Sequence, residues 1–249
     1  MAAKANELMM ESKMGSMHSI QTFDHKAQFD AYVATPEGTP KAAIIVIQEI
    51  FGVNKGIRSK CDGWAAQGYL AVAPDLFWRI KPGIELDPDV EAELQEAFGY
   101  FGQYDADDGI KDIEATIRAI RGGIGGLEGV AKVGAVGYCL GGRLAYMTAA
   151  RTDIDATVGY YGVMIDQMLD ESTAIANPLM LHIPTADHFV GPEAQAAVHA
   201  VLDQHPRVTL HDYAGLDHGF ATETGNRRDD AGAKLADSRT EAFFAEHLA

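Results

Sequence analysis

Cys139 stands in the run Gly137-Tyr138-Cys139-Leu140-Gly141-Gly142, between an apolar strand-like segment and a segment of helical pattern. That is the context of a nucleophile elbow, here with Cys where Ser is more usual. Glycines flank so sharp a turn because side chains there would collide. A sulfur at the turn faces the positive end of the following helix dipole, which favours thiolate, and the Leu140 N–H can point at an oxyanion. A bare G-x-C-x-G equally describes a small cysteine buried under a helix. The strand before and the helix after favour the nucleophile.

Such a nucleophile needs a base and a group to orient it, following in the order acid then His. Asp187 lies in Thr185-Ala186-Asp187-His188-Phe189-Val190, after a strand ending at Ile183. His218 lies in Gly215-Leu216-Asp217-His218-Gly219-Phe220, after a strand ending at Tyr213. His218 would take the thiol proton and return it to the leaving alkoxide, while Asp187 would fix the tautomer and stabilise the imidazolium. His182 and His211 fall within predicted strands, where core or surface roles are expected, and His188 is a weaker rival for the base. Glu49, in Ile47-Gln48-Glu49-Ile50-Phe51-Gly52-Val53, follows the first buried strand. It would lose hydration among apolar neighbours unless the thiol or an arginine partners it. The Ile50 N–H is placed for a second oxyanion donor. No metal is expected, because the spacing matches neither H-E-x-x-H nor a paired Cys/His pattern. Cys61 is expected to be buried.

The elements that must carry these residues alternate. The continuous apolar run Ala42 to Ile47 reads as a buried strand, and Tyr69 to Ala73, Lys132 to Val136, Ala156 to Tyr160, Leu179 to Ile183 and Val208 to Tyr213 follow as further strands. A looser alternation covers Phe29 to Val33. Helices are predicted from Asn54 to about Gln67, from Asp107 to the glycines at 122 and 123, and over Leu140 to Arg151, Glu193 to Asp203 and Ala231 to His247. This order implies an α/β fold, a mostly parallel doubly wound sheet with helices on both faces in a single domain over residues 19–249. In such sheets ligands bind beyond the carboxyl ends of the strands, where Glu49, Cys139, Asp187 and His218 all fall.

The composition is consistent with that domain. With 249 residues and 47% hydrophobic, the chain suffices for one large core. Its 36 acidic against 20 basic residues give a formal charge of −16, which repels phosphate backbones and anionic lipid, so neither nucleic acid nor membrane is an expected partner. Two cysteines are too few for a disulfide framework and fit a reducing cytoplasm. Met1 to His18 has no apolar core of a secretory signal and reads as a disordered extension.

The motifs Gln48-Glu49-Ile50-Phe51-Gly52-Val53-Asn54, Pro74-Asp75-Leu76, Val136 to Gly142, Gly159-Tyr160-Tyr161-Gly162 and Asp187-His188-Phe189-Val190 together resemble the dienelactone hydrolases, which are α/β-hydrolases. The resemblance runs from about Ile20 to the C-terminus. It implies a carboxylic ester or lactone hydrolase without cofactor, with Cys139, Asp187 and His218 as the catalytic set and Ile50 and Leu140 amides as the oxyanion hole. By the same likeness Glu49 holds or deprotonates the thiol when substrate arrives. Members acting on carboxylated dienelactones hold the carboxylate with arginines and a tyrosine. Aligned through Leu86-Asp87-Pro88, the first arginine position falls on Leu94 and the tyrosine on Phe98, and after His218 the second arginine position falls on Thr222; Leu and Thr cannot form a bidentate clamp. Phe51, Tyr138, Phe189 and Gly219 complete the expected pocket. Arg79, Arg227 or Arg228 could replace the clamp only if loops bring them in. The expected substrate is therefore a more neutral or bulkier small-molecule ester or lactone. An inactive ligand-binding scaffold is the alternative. Thiol redox chemistry is disfavoured because no resolving cysteine lies nearby.

Overall fold

The structure, a computed structural model, describes residues 15–223 and 225–249. Its strands are β1 (Ser16–Gln21), β2 (Gln28–Ala34), β3 (Ala43–Ile47), β4 (Leu70–Pro74), β5 (Val133–Tyr138), β6 (Ala156–Tyr160), β7 (Leu179–Pro184) and β8 (Val208–Tyr213). They form one eight-stranded sheet in the order β1-β2-β4-β3-β5-β6-β7-β8. The pairs β1–β2 and β2–β4 are antiparallel and all others are parallel, so the α/β fold inferred from alternation is the one observed.

The helices are α1 (Lys55–Ala66), α2 (Glu91–Phe101), α3 (Ala106–Gly122), α4 (Leu140–Arg151), α5 (Pro192–Leu202) and α6 (Asp230–His247). The continuous apolar run of β3 is explained by burial on both faces. Ala43, Ile45 and Ile47 join the core beneath α3, α4 and α5, while Ile44 and Val46 join the core beneath α1 and α6. The Asn54 side chain caps α1 by accepting from the Ile57 N–H at 3.2 Å. Cys61, on the same helix, is fully buried in the second core, where loss of hydration pushes its thiol well up.

Part of the expected N-terminal extension is structured. Ser16, Met17 and His18 belong to β1, paired with Val33, Tyr32 and Ala31, whereas residues 1–14 lie outside the described residues. Only Ile20 of β1 is buried, so this edge strand carries almost no apolar pattern. Among the described residues no helix is long and apolar enough to cross a membrane.

Candidate active site

Cys139 bridges β5 and α4 with φ 57° and ψ −111°, a backbone conformation rarely adopted by residues with a side chain. The surroundings enforce it. The Cys139 N–H donates to the Tyr160 carbonyl at 3.0 Å, and its carbonyl accepts from Arg143 at 3.1 Å. A Cβ on Gly137 would sit 1.9 Å from the Gly141 carbonyl oxygen, and one on Gly141 would sit 2.4 Å from that of Ile47. The helix can therefore press against the end of β3 only with glycine at both positions. This brings the Glu49–Ile50 loop beside the sulfur. Leu140 opens α4, where a first-turn N–H has no intrahelical acceptor. Among the described residues neither the Leu140 nor the Ile50 amide is used by the backbone hydrogen bonds that organise the surrounding loops.

Asp187 and His218 emerge from the ends of β7 and β8. The His218 Nδ1 lies 2.9 Å and 3.2 Å from the two Asp187 carboxylate oxygens, with both side chains almost wholly buried. Asp187 also accepts from the amides of Phe189 at 2.8 Å and Val190 at 3.1 Å, which hold its carboxylate from behind. The imidazole is braced by the rings of Phe189, edge-on at 4.8 Å, and Tyr161 at 4.9 Å. Its Nε2 is buried, finds no nitrogen or oxygen partner among the described residues, and is influenced by the Cys139 sulfur beside it. Burial alone would favour neutral imidazole. The charge of the nearby Cys139 sulfur and the hydrogen bond to Asp187 outweigh it and raise the group from 6.5 to about 10.

A cavity of about 170 Å³ opens onto the sulfur. It brings together Glu49, Ile50, Phe51, Leu94, Phe98, Cys139, Phe189 and His218 of the residues expected from sequence. Phe98 and Phe189 stand partly exposed at its rim, with ring centroids 6.2 Å apart. Burial pushes the Glu49 carboxyl up, while His218, Lys60 and Arg227 pull it the other way. No hydrogen bond is made by that carboxylate among the described residues, and the opposite charges that influence it are His218, Lys60 and Arg227.

Four expected lining residues lie elsewhere. Arg79 ion-pairs with Asp112 and stacks on Trp78 at 4.3 Å, so its guanidinium is already consumed on another face. Tyr138 points under the sheet, against Tyr160 at 4.8 Å and Lys60 at 4.4 Å. Thr222 is buried, its hydroxyl without a partner among the described residues, and does not line the cavity, and Gly219 lies beneath the Arg227 side chain. Arg228 is bound to Asp230 and to the Thr222 carbonyl. The cavity instead contains Phe101, Val163, Met164 and Arg227. Val163 and Met164 follow β6 at a strand end, where the strand-end rule alone would have directed attention. Arg227 is the arginine that a loop does bring in.

The rival histidines are accounted for by other partners. His182 is buried between the Tyr213 hydroxyl at 2.7 Å and the Thr240 hydroxyl at 2.9 Å, and His211 stacks on it at 5.8 Å. His188 is half exposed and faces Asp217 at 2.8 Å. Asp187, His188 and Asp217 are close enough together to hold an ion, but Asp187 would have to give up His218 to do so.

The chain matches the dienelactone hydrolase family over residues 29–248. A protein of Azospirillum brasilense with a provisional carboxymethylenebutenolidase name is 45% identical over 222 residues, covering 88% of this chain and 94% of its own. The carboxymethylenebutenolidase of Pseudomonas putida is 36% identical over 227 residues, covering 91% and 94%. Among solved structures, a Klebsiella pneumoniae protein provisionally named a dienelactone hydrolase superposes with a TM-score of 0.78 at 24% identity, covering 93% of this chain and 98% of its own. A dienelactone hydrolase-like promiscuous phosphotriesterase from metagenomic libraries superposes at 0.75 with 18% identity, covering 94% and 99%. Both structures speak to the fold.

Proposed function

Since this chain belongs to the dienelactone hydrolase family and is a hydrolase of that type, we propose that it cleaves small carboxylic esters or lactones through a thioester on Cys139. The observation carrying this reading is that the sulfur and the unpartnered Nε2 of an Asp187-held imidazole share one small cavity. The Cys139 thiol proton passes to His218 Nε2, and the raised basicity of that imidazole retains it. Sulfur attacks the carbonyl carbon, and the displaced electron pair forms an oxyanion received by the Ile50 and Leu140 amides. Collapse expels the alkoxide, which takes the proton from His218. In a lactone it stays tethered to the acyl group. Water then gives a proton to His218 and attacks the thioester, and the thiolate leaves.

The substrate has a largely apolar body. Leu94, Phe98, Phe101, Val163 and Met164 wall the cavity, and its one arginine, Arg227, faces an acid, Glu49, across it. A paired carboxylate clamp is absent from that lining, so neutral esters or lactones should be preferred over carboxylated dienelactones. Active-site titration with a chromogenic short-chain ester tests the mechanism: a burst of leaving group near one per chain is expected, abolished in a folded Cys139→Ala variant. Hydrolysis by that variant at the wild-type rate would overturn the reading, and binding of esters without any burst would favour a non-catalytic protein.

A further inference from the structure

Asp217 precedes the imidazole in sequence, and its own carboxylate points across to the other catalytic loop. One of its oxygens, Oδ1, accepts from the backbone amide of His218 at 2.6 Å and from the backbone amide of His188 at 3.0 Å. The same oxygen lies 2.8 Å from the His188 Nδ1. One oxygen thus ties the residue after Asp187 to His218 itself. We propose that Asp217 is a positioning residue that locks the Asp187 loop to the His218 loop and so aims the imidazole at Cys139.

The neighbouring contacts support that role. At their strand ends the two loops are stitched by Thr185 N–H to the Tyr213 carbonyl at 3.1 Å, Ala186 N–H to the Leu216 carbonyl at 2.9 Å, and Gly215 N–H to the Thr185 hydroxyl at 3.0 Å. These stitches stop at Ala186 and Leu216. Beyond them, among the described residues, the hydrogen bonds joining the loop tips are the Asp187–His218 pair and those made by Asp217. The ring of His188, held by Asp217, packs on Phe189 at 4.0 Å, and Phe189 in turn packs edge-on against His218 at 4.8 Å. Releasing Asp217 therefore frees both the backbone under the imidazole and the aromatic ring that braces it. A shift of about 1 Å at such a site is enough to lower a rate on the order of 100-fold.

The Asp217 side chain is 55% exposed, so its replacement tests position rather than core packing. Asp217→Ala should lower kcat about 10- to 100-fold with KM changed by less than about threefold, and slow alkylation of Cys139 by iodoacetamide, with little change in Tm. Asp217→Asn keeps an oxygen for the two amides and should stay within about threefold of wild type in kcat. A folded Asp217→Ala enzyme with wild-type kcat would overturn the proposal. An Asp217→Asn enzyme as slow as Asp217→Ala would do so too, since it would assign the effect to charge. Should Asp217→Ala not fold, Asp217→Ser, too short to span both amides, is read against the same limits. The proposal rests on His218 being the base, and full turnover by His218→Ala would remove that premise without any Asp217 variant.

Discussion

The Asp187 carboxylate meets the His218 imidazole at 2.9 Å with both side chains almost sealed from water. In that setting the pair gains electrostatic strength from the low local dielectric, and neither member can be lost without leaving the other buried and unmatched. The opposite edge of the ring, at Nε2, is the one left toward the cavity that holds the Cys139 sulfur.

Replacing Asp187 by Asn preserves shape but offers the imidazole an N–H donor, which favours the wrong tautomer. Steady-state assays should show kcat reduced on the order of 10³- to 10⁴-fold in Asp187→Asn, and similarly in His218→Ala. His188→Ala should be far milder, because its ring faces Asp217 rather than the cavity. If it proved as damaging as His218→Ala in a folded protein, the base would have been misassigned.

Stability should depend on pH through the same imidazole. Its value is raised from 6.5 to about 10 in the folded chain, so the native state binds this proton more tightly than the unfolded one. The resulting stabilisation is fully present below about 6.5 and is lost as pH rises toward about 10. Thermal melts should therefore show Tm falling between pH 7 and 10. The fall should flatten in Cys139→Ala, since the sulfur is the largest influence raising the group. An identical slope in the two proteins would count against their coupling.

Leu94 lines the cavity from α2, whereas Thr222 is buried outside it. Leu94→Arg should therefore raise kcat/KM for carboxylated lactones relative to neutral ones, by roughly 10-fold or more if one charge-assisted hydrogen bond of ~1.5 to 3 kcal/mol is gained. Thr222→Arg should instead bury a guanidinium and lower Tm. Wild-type enzyme that clearly preferred a carboxylated dienelactone over a neutral ester of similar size would refute this view of the pocket.

The residues proposed for catalysis are legible in the sequence because they obey a topological rule. Glu49, Cys139 and Asp187 each follow a largely apolar strand, whereas β8 before His218 carries Thr209, His211 and Asp212 and is read from its place in the alternation of elements. What failed were positions whose location depends on loops. Thr222 was placed by its offset from His218, but the loop turns it inward and delivers Arg227, nine residues after the histidine in sequence, to the cavity. Arg79 has the right chemistry for an anion, yet Asp112, more than thirty residues away, occupies it. Strand β1 sits at an edge with one buried residue, Ile20, and so carries no apolar alternation that marks a strand. The Phe98 ring at the rim was placed by resemblance, whereas Phe101, one turn further along α2, had no motif to mark it.

In the sheet order, Cys139 follows β5 near the middle, flanked by β3 and β6, while Asp187 and His218 hang from β7 and β8 at one margin. The residues proposed for the chemistry are thus divided between an anchored centre and a border whose last strand, among the described residues, has a neighbour on one side alone. Border strands open at lower free energy than central ones. Mild heat or denaturant should therefore disable the protein from its border inward, separating the proposed base from the proposed nucleophile while the elbow is still intact. Thermal robustness of activity would then be engineered at β7 and β8 rather than in the central core.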